Sequence, residues 1–229
     1  MLKIISSMAT RLLLADLAKQ FQHASGITAV IESVGGLDAA KRVQSGEAFD
    51  GVVLAREAID KLIASGHVVA GSRVDLVSSS VALAVKAGAP LPDISTEAAL
   101  RSAVLAAPSI GYSTGPSGVA IMALFERWGI TETLQAPQSR IVQTPPGVPV
   151  GTLVARGELA LGFQQLSELM HLPGISVVGT LPEPFAITTI FSIAACATNS
   201  SRGELSRFTA FMASPDVAQA KLKHGMQSV

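Results

Sequence analysis

Short apolar runs alternate with stretches of helical period along this chain. Leu2–Ile5 is an apolar run of strand length. Thr10–His23 then places Leu13, Leu14, Leu17, Ala18 and Phe21 on one stripe, the spacing of a helix buried on one side. The same rhythm predicts a strand at Thr28–Ser33, a helix at Leu37–Ser45, a strand at "GVVLA" (Gly51–Ala55) and a helix through "REAIDKLIASG". Farther on, "IGYS" reads as a strand, "SGVAIMALFERWG" as a helix closed by Gly129, "RIVQT" as a strand, "PVGTLVARGE" as a helix and "LALGF" as a strand. "GISVVG" is a late strand, and Arg202–Met212 and Asp216–His224 are closing helices. Strands and helices alternating at these lengths predict an α/β chain.

Two apolar runs break the rhythm. Val74–Lys86 and Ala186–Thr198 are each too long for one strand per helix. Read as two crossings, they predict two lobes, residues 1–80 plus 188–229 and residues 81–187, joined by a two-strand hinge with a cleft between them.

Composition narrows the function classes. Hydrophobic residues make up 48% of the 229 and charged residues 15%, ample for a core. The 17 Lys and Arg balance the 17 Asp and Glu, so bulk charge points to neither nucleic acid nor a membrane surface. No apolar run approaches the roughly 18 residues that span a bilayer. Cys196 lies in the apolar "FSIAACA" and reads as a buried, inert thiol. The N-terminus enters a strand without a basic segment or cleavage site, which predicts a cytoplasmic protein as written, or a periplasmic one if an export signal has been removed. His23, His67, His171 and His224 are isolated, so no metal is expected, and no nucleotide or cofactor motif occurs.

Chemistry concentrates in three polar loops that each leave a strand and open a helix: "SSMAT" (Ser6–Thr10), "SVGGLD" (Ser33–Asp38) and "STGPSG" (Ser113–Gly118). Helix starts carry unpaired N–H donors and about half a positive charge. One such loop could be ordinary capping, since Ser and Thr belong at N-caps. Three of them favour a shared anion site. Gln164 and Gln165 end an apolar strand, where an amide could meet a ligand or cap a helix.

These segments carry a resemblance. "SSMATRLLLADLAKQF", "GGLDAAKRVQSGEAFDGVVLA", "GSRVDLVSSSVALAVKAG", "GPSGVAIMALFERWGI" and "VGTLVARGELALGFQQLSEL", in that order, resemble the molybdate-binding members of the type II periplasmic solute-binding proteins over nearly the whole chain. The resemblance implies a two-lobe α/β fold with a ligand in the cleft. It does not carry the ligand over. Molybdate binders usually place serines where this chain has Ala9 and Gly35–Gly36, and a tyrosine near Gln164–Gln165; only the "PSG" loop with Ser117 keeps a counterpart. A small organic acid with two or three carboxylates fits better. The expected ligand-binding set is Ser6, Ser7, Met8, Ala9, Arg11, Gly35, Gly36, Ser113, Thr114, Ser117, Gly118, Gly147, Val148, Gln164 and Gln165.

Three functions follow: binding of a di- or tricarboxylate, isomerisation of an unsaturated polycarboxylate, and molybdate or tungstate binding. The second has a precedent, since aconitate isomerase resembles the same family. It needs a base, for which Glu32, Tyr112 and Glu168 are the nearest ionisable candidates. The expected partner is a small anion, with an ABC importer only if an export signal was removed, and the chain is expected to be a monomer.

Overall fold

The computed structural model describes residues 1–135 and 139–229. In chain order the elements are β1 (Leu2–Ser7), α1 (Arg11–Ser25), β2 (Ala29–Val34), α2 (Gly36–Gln44), β3 (Gly51–Ala55), α3 (Arg56–Ala64) and β4 (Val74–Lys86). There follow α4 (Glu97–Ala106), β5 (Ile110–Tyr112), α5 (Pro116–Arg127), α6 (Thr131–Gln135), β6 (Ile141–Gln143), α7 (Val150–Arg156), β7 (Leu161–Gln165) and α8 (Leu166–Leu169). The chain closes with β8 (Ile175–Thr180), β9 (Thr188–Ala195), α9 (Arg202–Ala213), α10 (Ala218–Lys223) and β10 (Gln227–Ser228). It divides into two compact units, Met1–Ser79 with Thr189–Val229, and Ser80–Thr188.

In the first unit, β1 pairs in parallel with β2 on one side and β3 on the other, β3 pairs antiparallel with β9, and β10 pairs antiparallel with β4. A strand covered on both faces must be apolar on both, which is why "LKIIS" is a run and not an alternation. Leu2 and Ile4 join Leu13, Leu14, Leu17 and Phe21 of α1 and Phe208 and Met212 of α9. Ile5 joins Val52 and Leu54 of β3 with Ala39, Val43, Ile59 and Leu62 of α2 and α3. Phe21 meets Phe208 edge-on at 5.1 Å between centroids. Gly26, left-handed at φ 73°, ends α1 by donating its N–H to the Gln22 carbonyl.

In the second unit, β4 pairs antiparallel with β7 and with β8, and β5 lies parallel between β7 and β6. The carboxyl ends of β5, β6 and β7 therefore share one edge. Val81, Leu83 and Val85 of β4 pack with Leu100, Val104, Ile121, Phe125 and Phe163. Glycine lets α7 press onto this sheet. A Cβ on Gly162 would fall 2.6 Å from Val154 Cγ2, and one on Gly111 2.9 Å from Val150 Cγ1.

The hydropathy pattern marks no element between Lys86 and Ile110, yet α4 lies there. Its buried stripe is only Leu100 and Val104, too short to stand out, and Thr96 caps it by accepting the Ala99 N–H. The expected strand at Ala186–Thr198 is shorter, Thr188–Ala195.

Phe163 is fully buried and meets Phe125 edge-on at 5.9 Å. Phe163→Ala is expected to destabilise the second unit by about 3–5 kcal/mol, read as a lowered urea midpoint.

Candidate functional site

Each unit ends its parallel strands in a polar edge. In the first, β1 delivers Ser6 and Ser7, and the β1–β2 register sets Ser6 opposite Ser33. Their hydroxyls lie 2.7 Å apart. One proton satisfies that pair, and the other hydroxyl keeps a hydrogen to donate. Ser7 is 7% exposed, and its Oγ has no hydrogen-bond partner among the described residues. A buried hydroxyl without a partner is costly, so it marks a place where one is expected. Met8 opens a 3-10 turn, Met8–Thr10, that leads into α1.

Capping does not explain these loops. Ser7, Thr10 and Gly35 stand at the N-caps of the 3-10 turn, α1 and α2, and none makes a side-chain cap. Thr10 turns back, donating its hydroxyl to the Ser7 carbonyl at 3.2 Å. Ala9 is buried in the first unit's core. Gly36 has room: a Cβ there would meet Leu54 and Ser7 at 3.8 Å, ordinary contact. Arg11 is exposed on the first turn of α1 and makes no ion pair among the described residues.

In the second unit, β5 runs into the "STGPSG" loop and α5. Gly115 is the N-cap, without a side-chain cap, and Pro116 opens the helix. Ser113 Oγ accepts the Gly115 N–H at 3.2 Å and lies 3.0 Å from Ser117 Oγ. Ser117 is buried and Thr114 half-buried.

Three of the expected residues already use hydrogen-bonding groups within the fold. The Gly118 N–H already donates to the Gly115 carbonyl at 3.0 Å, closing the first turn. Gly118 is there for shape, since a Cβ would fall 1.8 Å from the Ser113 carbonyl oxygen. The Val148 N–H donates to the Pro145 carbonyl at 3.0 Å in a turn that Gly147 permits with φ 79°. Gln164 Oε1 accepts the Val150 N–H at 2.8 Å and the Gly151 N–H at 3.4 Å, so its amide caps α7. Gln165, also buried, ends β7 opposite Val81.

Among the ionisable candidates, Glu32 is held by Arg42, whose guanidinium keeps its carboxyl below the ordinary range. Glu168 accepts from Gln164 Nε2 at 2.8 Å. Tyr112, half-buried, ends β5. Sequence reading passed over the Gln164–Glu168 link, although its i,i+4 spacing was the available signal. Burial, with the Asp50 charge, pushes the Cys196 thiol up to about 12, which makes it inert. No group of metal-ligating side chains occurs among the described residues. No helix among them is long and apolar enough to cross a membrane.

Two α/β units whose strand edges end in uncapped helix starts match a known group. Residues 2–227 fit the family of bacterial extracellular solute-binding proteins. The chain belongs to that family. It is 37% identical to aconitate isomerase from Pseudomonas sp. over 235 aligned residues, covering 100% of this chain and 88% of that one. The periplasmic molybdate-binding protein of Azotobacter vinelandii has a similar fold, with TM-score 0.82, 20% identity, and 99% and 98% of the two chains covered. The tungstate-binding protein of Desulfovibrio alaskensis follows at TM-score 0.65 and 18% identity, covering 95% and 92%. These likenesses establish the two-lobe type II solute-binding fold.

Gly118→Ala would drive a methyl into a backbone carbonyl. It is expected to cost about 1–3 kcal/mol, the usual range for overpacking, read as a lower thermal midpoint by circular dichroism.

Proposed function

We propose that the protein binds an unsaturated tricarboxylate of the aconitate class and isomerises it. The observation that carries this reading is the 37% identity to aconitate isomerase over the whole chain. The site residues support it. Ala9 and Gly36 withhold the hydroxyls that molybdate binders use, and the polar groups that remain suit carboxylates. The Ser117 N–H and the Ser113 and Ser117 hydroxyls hold one carboxylate at the start of α5. In the first unit, Ser6, Ser7 and Arg11 are hydroxyls and a fork-shaped cation, groups that also suit a carboxylate.

The reaction moves one proton along a three-carbon unit. A base takes it from the methylene carbon, and the electron pair spreads through the double bond beside a carboxylate held by neutral donors. The proton then returns at the other end, so nothing is oxidised or reduced and no cofactor is required.

The family description supports a second reading, a solute-binding protein that passes the same acid to an ABC importer. Proton NMR separates the two. Interconversion of cis- and trans-aconitate by catalytic amounts of protein supports isomerisation, whereas stoichiometric binding without interconversion supports transport.

Two further outcomes test the ligand class. Calorimetry against molybdate is expected to give no measurable heat, while a tricarboxylate titrates stoichiometrically; tight molybdate binding would refute the class assigned here. Ser117→Pro removes one amide donor, worth roughly 1.5–3 kcal/mol to a carboxylate, and is expected to weaken tricarboxylate binding by about one to two orders of magnitude. Ser117→Ala keeps the amide and should cost less, with circular dichroism as the folding control.

A further inference from the structure

We infer that Ser7 and the bare start of α2 at Gly36 form a carboxylate subsite within the first unit, with the Ser7 hydroxyl as its side-chain donor; this assignment rests on the tricarboxylate reading above. Two neighbouring serines at the end of β1 fare differently. Ser6 is fully buried, and its hydroxyl meets that of Ser33 at 2.7 Å, a partner that the β1–β2 register supplies. Ser7 is also more than nine-tenths buried, at 7% exposure, but its Oγ has no hydrogen-bond partner among the described residues. Nor does it cap the 3-10 turn that follows.

Alternation along the strand sets where Ser7 points. It lies two residues after Ile5 and so shares the face on which Ile5 packs with Ala39 and Val43 of α2. Its Cβ stands 3.8 Å from the place a Cβ on Gly36 would take. The hydroxyl and the start of α2 therefore border the same space.

Neither conformation nor packing asks for a glycine at position 36. Its φ is not positive, and an added Cβ would meet only Leu54 Cδ2 and Ser7 Cβ, both at 3.8 Å. In a helix alanine is favoured over glycine. The bare position thus lowers helix stability, and what it provides is room beside Ser7 for ligand atoms.

The helix brings donors to that room. Its first backbone bond runs from the Ala39 N–H to the Gly35 carbonyl at 2.9 Å, so the N–H groups of Gly36, Leu37 and Asp38 come before any helical acceptor. Gly35 offers no side-chain cap. The acid of the first turn, Asp38, folds back over Gly35, its Oδ2 3.2 Å from where a Cβ there would stand, and stays beyond 4 Å of the corresponding position at Gly36. A hydroxyl, first-turn amides and the apolar wall of Leu54 suit a carboxylate and the methylene attached to it: the oxygens take the donors, and the carbon lies against leucine.

A hydroxyl held for a ligand has a signature that a structural one lacks. Removing it leaves or raises the stability of the free protein while it weakens binding.

The test is calorimetry of trans-aconitate against the full chain, paired with ligand-free thermal midpoints by circular dichroism. Ser7→Ala removes a buried hydroxyl without a partner and is expected to hold or raise the midpoint. It is expected to weaken trans-aconitate binding by about tenfold to a hundredfold, the usual effect of losing a hydrogen bond to a charged group. Gly36→Ala is also expected to hold or raise the midpoint, and its methyl, set where the ligand lies, to weaken binding by about tenfold or more.

If wild type binds trans-aconitate and Ser7→Ala binds it as tightly, the subsite is refuted and the tricarboxylate reading stands. If Ser7→Ala loses affinity but its midpoint falls as well, Gly36→Ala decides. A folded Gly36→Ala of wild-type affinity refutes the subsite, and one that has lost affinity with its midpoint intact supports it. If wild type does not bind trans-aconitate, both readings fall.

Discussion

Backbone N–H groups at a helix start must find acceptors, and this chain withholds side-chain caps from the starts at its strand edges. α4 shows the ordinary solution, with the Thr96 hydroxyl accepting from Ala99. α1, α2 and α5 do without it, two of them with glycine in the capping place. Their first-turn donors have no capping side chain to accept from them, which suits an anion. Ser113 is drawn back into its own loop, and Gly118 clears a path for the Ser113 carbonyl.

α7 is treated differently, and the difference is informative. Its start is sealed from inside by Gln164, because glycines 111 and 162 let the helix lie close enough for a β7 side chain to reach its first N–H groups. A helix so capped offers little to a ligand. Its capping amide acquires a directed NH2 instead, and that NH2 meets a carboxylate. Close glycine packing, helix capping and the placement of Glu168 are thus one chain of causes.

Much of the architecture was legible in the sequence because it rests on apolar period. The Thr10–His23 stripe and the run Val74–Lys86 translate directly into α1 and β4. α4 was not legible, since two buried residues make no pattern against its polar neighbours. At the site, polar loops after strands were visible, but which donors they leave open was not. Gly118 and Val148 look like open amides until first-turn and turn hydrogen bonds are seen to use them. Gln164 could have met a ligand or a helix, and only the position of α7 decides. Hydrogen-bond partners distant in sequence leave no period to read.

The kind of donor bears on chemistry as well as on recognition. Guanidinium groups would bind a tricarboxylate strongly, but they would also hold any nearby carboxylate ionised and weakly basic. Glu32 shows this on the same chain, with Arg42 keeping its carboxyl low. Amides and hydroxyls stabilise an anion without adding a fixed positive charge, and the loop that opens α5 offers donors of that kind, Ser113 and Ser117. Helix starts and serines can therefore hold an anion while leaving the proton affinity of a neighbouring carboxylate largely its own.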